Sequence, residues 1–291
     1  MRLEHKVPSD YDARVWIEGT GHAERRLEIT PARAGWNFLS FRTYTFRRGQ
    51  VINGESAADE MCLVLLSGAV TMEAAGQTWH LDGRAGVFAG PPYAVYLPPG
   101  HTYKMTVHRD ADCAYGRAPA AGKHPPRLIT PDDATIEIRG GHNATRQITH
   151  ILDPGDAEKL LCVEVHTPSG NWSSYPPHRH DHQNPPAEVD LEEVYYYRLN
   201  PADGWALQRL YTDDRTLDDV VVAFHGDAVI VRQGYHPVVV APGYDLYYLN
   251  FLAGETPSWA APDDPHLAWV RDNWQGRPDR LALPLAGSGH G

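Results

Sequence analysis

The run of this chain richest in chemistry is Asn171-Trp-Ser-Ser-Tyr-Pro-Pro-His178-Arg-His180-Asp181-His182. Residues two apart on a strand point to the same side, so His178 and His180 can aim their imidazoles at one point. His182 keeps that parity, but Asp181 before it and Gln-Asn-Pro-Pro after it end the strand. A further ligand should come from a neighbouring strand, and Leu191-Glu192-Glu193-Val-Tyr-Tyr-Tyr-Arg198-Leu199 offers two carboxylates. Leu191, Glu193, Tyr195, Tyr197 and Leu199 share one face. Arg198 and Asn200 mark the other as solvated, which turns Glu193 inward and leaves Glu192 outside or in support just behind the ligands. His236 supplies a fourth ligand, just past the turn at Gly234 and at the start of an apolar strand. Three imidazoles and one carboxylate suit Zn first, with Mn, Fe, Co or Ni compatible, and do not suit Ca or Mg. Such a site keeps open positions, as a catalytic metal requires. Among 16 histidines an HxH pair alone means little. The pair joined to a strand-borne Glu and a turn-borne His is far more specific.

The elements that must hold these groups read as strands. Trp36 to Thr45, Met61 to Leu66, Ala94 to Leu97, Leu160 to His166, Val194 to Leu199, Ala206 to Tyr211, Ala228 to Val231 and Leu246 to Phe251 are rich in β-branched and aromatic residues. Gly, Pro, Asp or Asn bound them. Helical periodicity is weak, with one short candidate around Pro265 to Asn273. The fold class is all-β. An internal repeat refines it: Ala94 to Gly100 matches Ala228 to Gly234 in pattern, 134 residues later, and Glu60 stands 133 residues ahead of Glu193. This suggests a duplicated barrel. The expected organisation is an N-terminal barrel without metal (1–135), a C-terminal barrel with the metal (136–275) and a partly disordered tail (276–291).

Net charge is −11, which argues against nucleic acid or an anionic membrane as partner. No apolar run approaches the roughly 20 residues that cross a bilayer. The charged start, Met1 to Asp10, lacks the apolar core of a secretory signal. Cys62, Cys113 and Cys162 are too few and too scattered for a disulfide framework. A cytoplasmic protein is expected, with a homo-oligomer possible but no subunit count fixed.

HxH, a Glu on the next strand and a turn-borne His resemble the cupin superfamily, and two copies resemble a bicupin, with tandem double-stranded β-helix (jelly-roll) barrels. Gly170 to Asp181, Leu191 to Tyr197, Gln208 to Asp213, Gly234 to Pro237 and Pro242 to Asn250 resemble the 5-deoxy-glucuronate isomerase family of inositol breakdown. Gly35-Trp36, Tyr96 to Gly100 and Arg139-Gly140 also fit, so the resemblance spans most of residues 10 to 274. Twelve residues, 181 to 192, separate His180 from Glu193, where the general cupin pattern has three or four; the isomerase family shares this insert. Arg232-Gln233 stands where that family is expected to carry a proline beside a basic residue.

The resemblance implies aldose–ketose isomerisation of 5-deoxy-D-glucuronate to 5-dehydro-2-deoxy-D-gluconate. A metal would polarise the aldehyde and stabilise an enediolate, and a base would carry the proton between carbons. Glu192, Tyr195, Tyr211, Tyr235 and Asp245 are candidate proton handlers, with Tyr211 and Tyr235 preferred. The substrate carboxylate calls for a bidentate Arg. Arg209 is the first choice and Arg146 the second, with Tyr247 as a further substrate contact. Alternatives are another uronate isomerase of the pectin type, an Fe dioxygenase, or a non-catalytic sugar-binding cupin.

Overall fold

Valine, isoleucine and tyrosine fill a pleated, half-buried surface better than a helix, and strands account for most of this molecule. The computed structural model describes residues 5–8, 14–17 and 21–274; the expected tail, 276–291, lies outside them. Two compact units result. One takes residues 5–8, Thr135–His150 and residues 162–274; the other takes residues 14–134 and Ile151–Leu161.

In the first unit a seven-stranded sheet runs Lys6–Val7, Ala228–Val231, Glu192–Asn200, Asp245–Ala253, Leu160–Thr167, Arg146–Leu152, Thr135–Arg139. A four-stranded sheet runs Trp172–Ser173, Val238–Val240, Trp205–Tyr211, Asp218–Phe224. Side chains from both meet in one core, with Tyr195, Tyr197, Val229 and Val163 from the larger sheet against Leu210, Ala223 and Val238 from the smaller. This is the cupin jelly roll. The two sheets face each other without joining edge to edge into a closed barrel.

In the other unit the order is Arg127–Ile129, Tyr93–Leu97, Asp59–Ala74, Thr102–Pro119, Ser40–Phe46, Gly21–Ile29, Arg14–Ile17. It matches the first unit place for place, and the segments carrying the sequence repeat, Tyr93–Leu97 and Ala228–Val231, hold equivalent positions. The ladder corrects one part of that repeat. Glu193 pairs with Val231, whereas the residue paired with Leu97 is Met61. Met61, not Glu60, therefore occupies the position of Glu193. Glu60 points away from the core that Met61 and Leu63 enter. Its carboxylate accepts from Tyr96 Oη (2.7 Å) and from the backbone N–H of Glu158, Lys159 and Leu160 (2.8, 2.7 and 2.9 Å).

Seven of the eight expected strands lie within observed ones; the first, expected from Trp36, begins only at Ser40, because residues 35–39 form the turn after the short helix Pro31–Ala34. The helix expected near Pro265 to Asn273 is a 3₁₀ turn, Ala268–Asn273. All three cysteines are buried and in no disulfide. Among the described residues no helix is long and apolar enough to cross a membrane.

Candidate metal centre and substrate cavity

The His178-Arg179-His180 arm does not lie in a sheet. It is extended, and a single bridge, His178 to Asp263, holds it. Arg179 N–H donates to Pro262 O (3.2 Å) and Asp264 N–H to Pro177 O (2.7 Å). Asp181 anchors the following turn by accepting from Gly234 N–H (2.6 Å). Gly234 has φ +81°, and a Cβ there would fall 2.4 Å from Tyr211 O, so only glycine fits before His236.

Each site imidazole is tethered by its far side. His180 Nδ1 lies 2.9 Å from Leu191 O and His236 Nδ1 2.9 Å from Gly234 O. His178 hydrogen-bonds the Pro176 backbone. A carbonyl only accepts, so the Nδ1 protons of His180 and His236 are committed and the Nε2 lone pairs face inward. Glu193 Oε2 stands 3.0 Å from His180 Nε2 and 3.3 Å from His236 Nε2. Asn250 Nδ2–H donates to Glu193 Oε1 (2.8 Å), which fixes the carboxylate.

The ligand atoms of His180, Glu193 and His236 lie within 4.8 Å of one another, and all three residues are buried. His178 stands slightly outside this trio. Its ring centroid is 4.7 Å from that of His236 and 6.3 Å from that of His180. His236 Nε2 is buried without a hydrogen-bond partner. Converging lone pairs and an orphaned buried nitrogen require a proton or a cation among them. The donor set therefore fits a divalent transition ion, with His178 as the outer ligand.

Burial pushes the His178 and His236 imidazoles down to about 3, with Glu193 opposing this at His236 and neighbouring histidines adding to it, so both are neutral at neutral pH. For His180 burial lowers the value, but the Glu193 hydrogen bond and charge outweigh it and the net shift is upward. In the unfolded chain these groups return toward 6.5. Between pH 6.5 and 3 the unfolded state takes up protons that native His178 and His236 refuse. Their contribution is therefore present above pH 6.5 and lost as pH falls through that window. His180 works in the opposite direction, two groups against one. The melting temperature of metal-free protein should fall from pH 7 to pH 4.5; a flat or rising trend contradicts this electrostatic picture.

His178, His180 and Glu193 line a cavity of about 210 Å³ that also includes Arg146, Tyr195 and Tyr248. Ser174 Oγ hydrogen-bonds the hydroxyls of Tyr195 (2.9 Å) and Tyr248 (3.3 Å) in its wall. Arg139 and Arg271 line the same cavity but are engaged, with Glu137 (2.7 Å) and Asp263 (2.5 Å). Arg146 differs. It is 4% exposed and donates to Ala144 O (3.1 Å), and among the described residues no carboxylate lies within 4.0 Å of it. Burial brings its value down to about 10, so it stays charged at neutral pH. Gly140, at φ +87°, makes room: a Cβ there would meet Arg146 Nη1 at 2.8 Å and Ala144 O at 2.0 Å.

A model described as the KduI/IolB family matches residues 17–270. The chain belongs to the KduI/IolB family. Relatives named 5-deoxy-glucuronate isomerase include one from Geobacillus kaustophilus (strain HTA426), 43% identical over 250 residues, which covers 85% of this chain and 91% of the relative. Another, from Bacillus subtilis (strain 168), is 38% identical over 247 residues, 84% and 91% of the two chains. The crystal structure of an IolB-like protein from Salmonella typhimurium LT2 is similar at TM-score 0.83 and 38% identity, covering 88% of this chain and 98% of that one. Oxalate decarboxylase from Lactobacillus farciminis, in a formate complex, gives TM-score 0.65 at 11% identity over 90% and 89%, a likeness of fold alone.

This KduI/IolB chain does not bring every expected site residue to the cavity. Arg209 lies on the outer face of its strand, paired with Asp218 (2.7 and 2.8 Å). The inward place belongs to Gln208, which accepts from Tyr197 Oη (2.8 Å) and donates to His236 O (3.2 Å). Tyr211 donates to Asp264 (2.7 Å) and Tyr235 to Asp213 (3.1 Å), so both brace the arm that carries His178. Burial and the Asp213 hydrogen bond push Tyr235 up to about 12, and burial and Asp264 raise Tyr211 further. Tyr247 faces away and donates to Glu164 (2.7 Å). Asp245 accepts from Ser169 N–H (3.1 Å) at the strand's start. Glu192 is half-buried outside the lining, as parity placed it.

Tyr248, Asn250, Ser174, Arg139 and Arg271 were not singled out from sequence. Asn250 carried a readable signal, since it is the lone amide within the otherwise apolar run Leu246 to Ala253. Asn250→Ala should weaken metal binding about 10- to 100-fold, because it releases the ligating carboxylate; a metal titration checks it, and unchanged affinity would remove Asn250 from the site. Arg209→Ala should leave kcat/KM within about twofold, since an exposed pair is worth little. A large loss would restore Arg209 as a substrate ligand.

Proposed function

We propose that this chain is a metal-dependent aldose–ketose isomerase that converts 5-deoxy-D-glucuronate to 5-dehydro-2-deoxy-D-gluconate in inositol breakdown. The observation that carries this reading is one cavity with a metal-ligand corner and a buried guanidinium that, among the described residues, has no carboxylate partner. A short uronic acid has the matching ends, an oxygen pair at C1–C2 and a carboxylate at C6.

His178, His180, Glu193 and His236 would hold the ion, Zn first, with Mn, Fe, Co or Ni suited to the same donors. A bound ion supplies Lewis acidity at the carbonyl end and stabilises the charge that develops there. Arg146 receives the carboxylate as a fork and so sets which end of the substrate faces the metal corner. Arg139 and Arg271 add positive field while held by Glu137 and Asp263. Tyr195, Ser174 and Tyr248 form a hydroxyl chain along the wall, suited to passing the hydroxyl proton from O2 to O1 while the C2 hydrogen moves to C1. Tyr195, already among the candidates by strand parity, thus replaces Tyr211 and Tyr235 as the proton-handling tyrosine.

The reading is tested by NMR of 5-deoxy-D-glucuronate with purified enzyme, with and without a chelator. Tyr248→Phe is run in parallel and should lower kcat more than it raises KM. Turnover of other uronates in place of this one would keep the chemistry and change the substrate. An unchanged kcat in Tyr248→Phe would remove the hydroxyl chain.

A further inference from the structure

The unit without the metal corner keeps a cavity at the equivalent place. In the first unit Glu193 pairs with Leu252, and Tyr195 with Asn250. In the other, Met61 pairs with Arg117, and Leu63 with Tyr115. Arg117 thus takes the place of Leu252 and Tyr115 that of Asn250, while a thioether replaces the ligating carboxylate. The metal position is lost, yet the space is not filled. A cavity of about 180 Å³ remains, lined by Arg42, Tyr44, Asn53, Tyr103, Tyr115 and Arg117, with Glu55 also on its lining.

A jelly-roll end kept only for stability would be closed by packed apolar side chains, since lining a void with guanidinium groups costs desolvation. Here donors are left over. Arg42 spends Nε on Glu28 (2.7 Å), and among the described residues both of its Nη atoms lack a hydrogen-bond partner. Arg117 spends Nη2 on Ser56 O, with Nε 3.3 Å from Asp59, which leaves Nη1. Tyr103 and Tyr115 hydrogen-bond each other, and burial pushes Tyr103 up to about 12, so both phenols stay neutral and one O–H remains to donate into the cavity. Gly54 permits this wall: a Cβ there would strike the Tyr103 ring at 2.4 Å. Two guanidinium groups recognise a carboxylate, and phenols with an amide recognise hydroxyls.

We propose that this metal-free cavity binds a small polyhydroxy carboxylate, of the sugar-acid class, without transforming it. The inference does not depend on the isomerase reading of the other unit. The test is calorimetric titration of D-glucuronate into full-length Arg146→Met/His180→Ala protein, in which the first cavity is disabled. One saturable equivalent is expected, weakened at least about tenfold by adding Arg42→Met. In the unmutated protein the same equivalent should be present and should weaken in Arg42→Met, with thermal melts confirming that each variant is folded. No binding in the disabled protein, or binding that neither Arg42→Met nor Arg117→Met weakens, overturns the proposal. Turnover of the unmutated enzyme reports on the metal corner alone, so the two readings fail separately.

Discussion

His236→Ala should give a folded protein that no longer retains a transition metal through gel filtration and turns over at least about a thousandfold more slowly. That loss corresponds to about 4 kcal/mol of transition-state stabilisation. His236 is fully buried, and among the described residues its Nε2, which faces His180 and Glu193, has no hydrogen-bond partner. Its removal breaks the buried trio and leaves His180 and Glu193 with only the outer His178 to complete the site. A variant that keeps stoichiometric metal, read by atomic absorption, would show that the trio is an ordinary buried hydrogen-bond cluster.

Arg146→Met should lower kcat/KM by about 100- to 1000-fold, mostly through KM, because truncating a buried charge pair costs about 2–5 kcal/mol. The second half of the result is more diagnostic. Among the described residues Arg146 lies buried with a backbone carbonyl as its hydrogen-bond acceptor and the Trp274 ring 5.7 Å away, with no carboxylate, so the empty protein offsets its desolvation cost only in part. Methionine should therefore leave the melting temperature unchanged or raise it, the mark of a residue kept for function. Arg146→Lys should recover part of the activity, as charge is kept and the bidentate fork is lost. A variant both inactive and strongly destabilised would make Arg146 a structural residue.

The all-β class, the repeated strand order and the gathering of His180, Glu193 and His236 were legible, because these rest on two-residue alternation and on spacing within single segments. His178 and His180 needed only parity, and Glu193 was chosen over Glu192 by the same rule. That rule succeeded even though Val194 and Tyr196 on the opposite face are also buried, which the solvated look of Arg198 and Asn200 did not suggest. What failed were choices that depend on partners from distant segments. Arg209 looked like an anion clamp until Asp218, on the paired strand, claimed it. Tyr211 and Tyr235 were plausible until Asp264 and Asp213 took their hydroxyls. Tyr247 and Tyr248 differ by one residue, and only the register against Arg198 and Tyr197 decides which faces the cavity. Pairing Glu60 with Glu193 was a slip of the same size, since the ladder puts Met61 in that place.

One measurement bears most directly on the metal-dependent isomerisation. Exhaustively metal-stripped protein is given 5-deoxy-D-glucuronate in heavy water, and the aldehyde and ketose signals are followed by NMR before and after adding one equivalent of Zn, Mn, Fe, Co or Ni. No ketose before addition, and ketose formation restored by a stoichiometric ion in the unmutated protein but not in His236→Ala, is the expected result. Ketose formed at full rate by the stripped protein, or no ketose with any of the five ions, contradicts it.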